Sequence, residues 1–180
     1  MRKFILIICL LALVVGQALA IEAELPEMKT MHLKTALVED GEPAAFIATP
    51  EGESYRALAE QLTTALTEQL GVAIPVVSAE SVDEARLKSE NCVALGIFPF
   101  NPVAEKLYIR EMVACDYSWP TGQDSYVVRT VHDPWLSGTN VVFLGSAHDA
   151  GMQAAVDRFI EIVAATGGVL EPIIEVSDDE

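Results

Sequence analysis

Residues 124–163 leave this chain little conformational freedom. Tyr126-Val127-Val128-Arg129-Thr130-Val131 is dominated by β-branched and aromatic side chains, and Asn140-Val141-Val142-Phe143-Leu144 is a short apolar run closed by Gly145, so both predict strands. The stretch between them, His132 to Thr139, holds Pro134 and Gly138, which suits a reversal of the chain. Beyond Gly145, the apolar residues Met152, Ala155, Val156, Phe159, Ile160 and Val163 recur at helical spacing. A helix with one apolar stripe must bury it, and the two strands are the nearest surface.

The upstream pattern is of the same kind. Lys34 to Val38 predicts an edge strand, and Ala44 to Thr49 a buried strand ended by Pro50. Ser54 is the expected N-cap of a helix whose stripe is Tyr55, Leu58, Leu62, Ala65, Leu66 and Leu70, stopped by Gly71. Val72 to Val77 contains Pro75 and so belongs at an edge, Ala79 to Ser89 is charged and weakly helical, and Cys92 to Phe98 predicts a strand buried on both faces. Asn101 is placed to cap a short helix with Pro102 at its first position, and Asp116 to Gly122 is a loop. Gly167-Gly168 ends the downstream helix, and Val169 to Val176 adds an edge strand around Pro172. The prediction is a single α/β domain over residues 34–176, a mixed β-sheet covered by two main amphipathic helices. A lead-in at 21–33 precedes it and an acidic tail at 177–180 follows.

Residues 1–20 are of another type. Arg2 and Lys3 precede the apolar run Phe4 to Val15, and Ala18-Leu19-Ala20 supplies the small-x-small pattern of a signal-peptide cleavage site. The run is too short for the ~20 residues of a membrane-spanning helix. Export to a periplasmic or extracellular location is therefore expected, with no membrane attachment after cleavage. Cleavage leaves nine Lys and Arg against 27 Asp and Glu, moving the net charge from −16 to −18. Such a surface repels nucleic acid and anionic membranes. Cys92 and Cys115 remain, in a compartment where disulfides persist; they are either bridged or separately buried, and two cysteines define no metal motif.

Three groups of residues carry chemistry worth testing. His132-Asp133 and His148-Asp149 would offer a metal two imidazoles and two carboxylates if both pairs reached one end of the sheet; otherwise Asp133 before Pro134 is turn chemistry and Asp149 sits at a helix start. Gly145-Ser146-Ala147-His148-Asp149-Ala150-Gly151 is a small-residue turn that could present backbone N–H groups to an anion, but it matches neither the phosphate loop nor the Gly-x-Ser-x-Gly elbow. Ser146, His148 and Asp149 are too close in sequence for a nucleophile, base and orienter array. Tyr117, Trp119 and Trp135 lie in loops and are suited to stacking on sugar rings, to an interdomain contact, or to core burial. No catalytic residue, resident metal or cofactor is assigned from these patterns.

The order Ala48-Thr49-Pro50, Ser54-Tyr55-Arg56-Ala57-Leu58-Ala59-Glu60-Gln61-Leu62 and Gly71-Val72-Ala73-Ile74-Pro75-Val76-Val77 resembles the N-terminal accessory domain of secreted beta-N-acetylhexosaminidases and alpha-glucuronidases. Ser125 to Val131 and Asn140 to Ser146, leading through Gly151 into a helix, are similar to that domain's second half. The likeness spans roughly residues 44 to 165. One departure is Ala147-His148, where the family more often runs directly from Gly-Ser to Asp. The resemblance implies a non-catalytic α/β domain packed beside a catalytic (β/α)8 barrel that carries the catalytic carboxylates. The leading expectation is an exported accessory domain of a polysaccharide- or glycoside-degrading system, with a catalytic domain or a glycan as partner. The rivals are a free-standing sugar-binding protein using Trp119 and Trp135, and a small hydrolase using the His-Asp pairs.

Overall fold

The Tyr126 and Val141 runs form the expected antiparallel hairpin, with Arg129 opposite Phe143 and Val131 opposite Val141. A computed structural model describes residues 32–177; the expected signal peptide, residues 21–31 of the lead-in and residues 178–180 of the tail lie outside the described residues. In chain order the elements are β1 (Thr35–Ala36), β2 (Val38–Glu39), β3 (Glu42–Pro43), β4 (Ala45–Thr49), α1 (Glu53–Leu70) and β5 (Val76–Ser78). A 3-10 turn (Ala79–Ser81), α2 (Glu84–Leu87), β6 (Asn91–Leu95) and α3 (Pro102–Ile109) follow. The chain continues with β7 (Tyr126–Val131), β8 (Val141–Gly145), α4 (Asp149–Thr166), β9 (Val169–Leu170) and β10 (Ile174–Ser177).

Six strands make the main sheet in the order β10-β7-β8-β6-β4-β5. β8, β6, β4 and β5 run parallel, while β7 is antiparallel to both of its neighbours. This is the mixed α/β sheet that the residue pattern predicts. Cys92 to Leu95 is apolar throughout because β6 lies between β4 and β8 and is covered on both faces. Pro75 leads into β5, an edge strand, and its carbonyl accepts from the Ile47 amide of β4 at 2.8 Å.

The two long helices share one face. Leu58, Leu62 and Leu66 of α1 and Met152, Val156, Phe159 and Val163 of α4 pack with Ile47, Val93, Val128 and Val142. Burying a side chain of the Phe159 class stabilises a fold by about 1.5–3 kcal/mol. On the opposite face, Leu87 of α2 and Val103, Ala104 and Leu107 of α3 cover Phe46, Val127, Val131 and Phe143.

Several expected boundaries move. α1 begins at Glu53 with Gly52 at the cap position, so Ser54 lies within the first turn and is not the cap. Gly71 does close that helix, in the left-handed conformation at φ 72°. The strand expected at Lys34 to Val38 is two short pieces outside the main sheet, of which β1 pairs with β9. Pro172 divides the last expected strand, so that β9 serves β1 while β10 closes the main sheet beside β7. Among the described residues, no helix is long and apolar enough to cross a membrane.

Candidate functional site

From β4 the chain crosses one face of the sheet as α1 to reach β5, then crosses the other face through α2 to reach β6 on the far side of β4. Connections that diverge in this way open a crevice beyond the carboxyl ends of the two strands, where open α/β sheets bind ligands. Asn101 ties this point together. It is fully buried; its Nδ2 donates to the carbonyls of Ala48 at 3.1 Å and Leu95 at 2.8 Å, while its Oδ1 accepts from the amides of Val103 at 2.8 Å and Ala104 at 3.4 Å. The parallel register of β4 and β6, with Ala48 beside Ala94, assigns the Leu95 carbonyl to the amide of residue 50. Residue 50 is proline and has no N–H, so Asn101 supplies the missing donor.

Beyond Leu95 the backbone turns at Gly96 with φ +89°, and the Tyr55 ring lies so close that a Cβ there would sit 2.9 Å from it. Tyr55 meets Phe100 with centroids 6.2 Å apart, and Phe100 meets Tyr117 edge-on at 6.1 Å and 88°. The outer two stand in solvent, Phe100 44% exposed and Tyr117 61%, and Trp119, two residues on in the same loop, is 37% exposed. The loop bearing Tyr117 and Trp119 is held by Asp116. Its Oδ1 accepts from the Ser118 amide at 2.7 Å and hydroxyl at 2.6 Å, its Oδ2 accepts from the Tyr108 hydroxyl at 3.1 Å, and its own amide donates to the Trp119 carbonyl. These donors, led by the Ser118 hydroxyl, hold the Asp116 carboxyl below the usual carboxylate range. Burial, followed by the nearby Asp149 charge, pushes the Tyr55 phenol up to about 12. A separate shallow groove of about 530 Å³ is lined by Thr49 to Gly52, Arg56 and Val76 to Ser78, and none of the aromatic residues enters its wall.

The sequence candidates separate. His148 and Asp149 begin α4 at the carboxyl end of β8, with Gln123 Nε2 3.4 Å from His148 Nε2. His132 and Asp133 precede β8 at the other end of the sheet, so a strand of ~17 Å lies between the two pairs. The two pairs thus do not reach one end of the sheet, and among the described residues no group of three or more His, Cys, Asp or Glu side chains could hold a metal ion. Asp133 shapes its loop instead: it is buried, and its Oδ1 accepts from the amides of Ser137 at 2.6 Å and Gly138 at 2.8 Å. Ser146 is buried; its hydroxyl donates to the Ser125 carbonyl at 2.8 Å and accepts from the His148 amide at 3.1 Å. It tightens the turn into α4.

Trp135 is not a surface residue. It is 5% exposed, in the core beneath the Arg110 guanidinium, which lies 4.6 Å from the ring centroid. Of the two readings left open for the cysteines, separate burial is the one seen: Cys92 and Cys115 are both buried free thiols. Cys92 sits opposite Val141 at the start of β8, whereas Cys115 rests beside Gly145 at its end. Burial raises both thiols, Cys115 to about 12. No protein-family model matches this chain, and no curated protein sequence matches it either.

The aromatic ridge therefore keeps two of the three aromatics singled out from the sequence, Tyr117 and Trp119, and adds Phe100 and Tyr55. Phe100 was legible in principle, since Phe98-Pro99-Phe100 directly follows the central strand at its carboxyl end.

Proposed function

We propose that this protein is a non-catalytic accessory domain of an exported carbohydrate-degrading system, acting beside a catalytic domain and holding glycan on the ridge of Phe100, Tyr117 and Trp119. One observation carries the proposal: the exposed rings of Phe100 and Tyr117 meet beyond the carboxyl end of β6, with exposed Trp119 two residues on in the same loop, and they are held by Asp116 and by the contact of Tyr55 with Phe100. A flat aromatic face covers the apolar C–H face of a pyranose, and a rim of carboxylate, amide and phenol groups can take up its hydroxyls. The resemblance over residues 44 to 165 and the leader pattern at 1–20 support the same assignment. Trp135, buried beneath Arg110, has no part in it.

The test is calorimetric titration with a panel of neutral and acidic oligosaccharides. Tyr117→Ala and Phe100→Ala are expected to weaken binding about 10-fold each, the loss of roughly 1.4 kcal/mol of aromatic contact. Oligosaccharide binding that survives both changes would sink the proposal.

A further inference from the structure

We propose that two copies of this protein pair through β10, antiparallel about a two-fold axis at Glu175, and so continue the six-stranded sheet into a second one. β10 is the outermost strand on its side, and nothing among the described residues pairs with its outer edge. Its hydrogen-bonding parity is fixed by one bond, from the Thr130 amide to the Ile173 carbonyl at 2.9 Å, between residues directly opposite each other in the β7–β10 register. Glu175 and Ser177, two and four residues on, therefore turn their backbone groups toward β7. Ile174 and Val176 turn theirs outward.

These outward groups are self-complementary. Centring the two-fold on Glu175 sets Ile174 against Val176 of the second copy, and each such pair exchanges two backbone hydrogen bonds. Centring it on Ile174 would instead place Val176 against Pro172, which has no N–H to give. Centring it on Val176 would bring acidic residues beyond Ser177 into the ladder.

The apolar side chains suit the same register. Residues directly opposite in an antiparallel pair share a face, so Ile174 projects beside Arg129 and Val176 beside Val127. Ile174 is 78% exposed and Val176 43%, and the two-fold would cover each with the other. Two Glu175 carboxylates meeting at an axis would ordinarily repel. Here each is paired with a guanidinium, from Arg158 Nε at 2.7 Å, and accepts the Tyr126 hydroxyl at 3.0 Å; Arg158 also pairs with Glu161 at 2.8 Å, so the repulsion at the axis is reduced and not cancelled. Four-residue strands bury less than the ~800 Å² per partner of a standard interface, so the association belongs to the weak class.

Sedimentation equilibrium of the purified protein, at concentrations up to about 1 mM, is the test. A reversible monomer–dimer equilibrium is expected. Val176→Pro removes an outward N–H and no bond to β7, so it is expected to abolish the dimer while leaving the circular dichroism and melting temperature of the monomer in place; Val176→Lys serves as the second variant should proline disturb the strand. Oxidation of Glu175→Cys should give a disulfide-linked dimer, because Cα atoms at such an axis lie about 4.5 Å apart, whereas Ser177→Cys should give little. A chain that remains monomeric throughout, a dimer that persists in Val176→Pro and Val176→Lys, or equal cross-linking of the two cysteine variants overturns the proposal.

Discussion

Replacing Asn101 by alanine removes a side chain that joins two strands and starts a helix. The N-cap bonds to Val103 and Ala104 are worth about 1 kcal/mol. The Ala48 carbonyl keeps a ladder partner and forfeits one further bond, about 1 kcal/mol. The Leu95 carbonyl keeps nothing, since Pro50 offers no amide, and an unsatisfied buried carbonyl costs about 1–3 kcal/mol. The expected destabilisation is about 3–5 kcal/mol, a shift of roughly 2 M in the urea midpoint at an m-value near 2 kcal/mol/M. Asn101→Ser keeps the cap alone and should recover about 1 kcal/mol of this. A second change makes the reasoning specific: adding Pro50→Ala to Asn101→Ala returns an amide to the Leu95 carbonyl and should restore about 1–2 kcal/mol. Urea unfolding of the single and double variants decides it. A loss below about 1 kcal/mol in Asn101→Ala, or no recovery in the double variant, refutes the account.

Other outcomes follow from the buried groups. Trp135→Phe should be nearly neutral in thermal melts, since the indole Nε1 has no hydrogen-bond partner to lose, whereas Trp135→Ala should cost about 3–5 kcal/mol. Gly151→Ala sets a helix-propensity gain of about 1 kcal/mol against a Cβ that would collide with the Ser125 carbonyl oxygen and the Ser146 hydroxyl. Overpacking should win by about 1–2 kcal/mol, and a stabilised variant would contradict the geometry. Burial, and then the Asp116 charge, raises Cys115 from 9.0 to about 12, while burial and Asp149 raise Tyr55 from 10.0 to about 12. The folded state holds these protons more tightly than the unfolded chain, so their stabilisation is complete below about pH 9 and is lost as pH rises toward 12. Urea midpoints flat between pH 8 and pH 11 would disprove this. Both thiols should resist a thiol reagent until denaturant is added, and reductant should leave the melting temperature unchanged.

The periodic segments were legible because burial on one stripe or on both faces writes itself into residue spacing. α4, the β7–β8 hairpin and the central position of β6 all follow from such runs. Strand pairing over distance was not legible: β1 finds β9 across more than 130 residues through two-residue contacts that leave no periodic trace. The candidate site was half readable. Tyr117 and Trp119 stood out as loop aromatics, yet nothing local distinguishes them from Trp135, which the Arg110 guanidinium and the α3 core enclose. The two His-Asp pairs look alike in sequence, and only the direction of β8 sends them to opposite ends. Asn101 was recognisable as a cap, but its second duty depends on Pro50 lying in the neighbouring strand.

The sheet is clad unequally, with two 18-residue helices on one side and helices of four and eight residues on the other. Amides along α1 and α4 should therefore surrender their hydrogens to deuterium only when the whole molecule opens, while those between Gly96 and Asp124 escape through smaller excursions. The ridge of Phe100, Tyr117 and Trp119 rides on that looser layer and can adjust to what it touches without disturbing the tightly bound half.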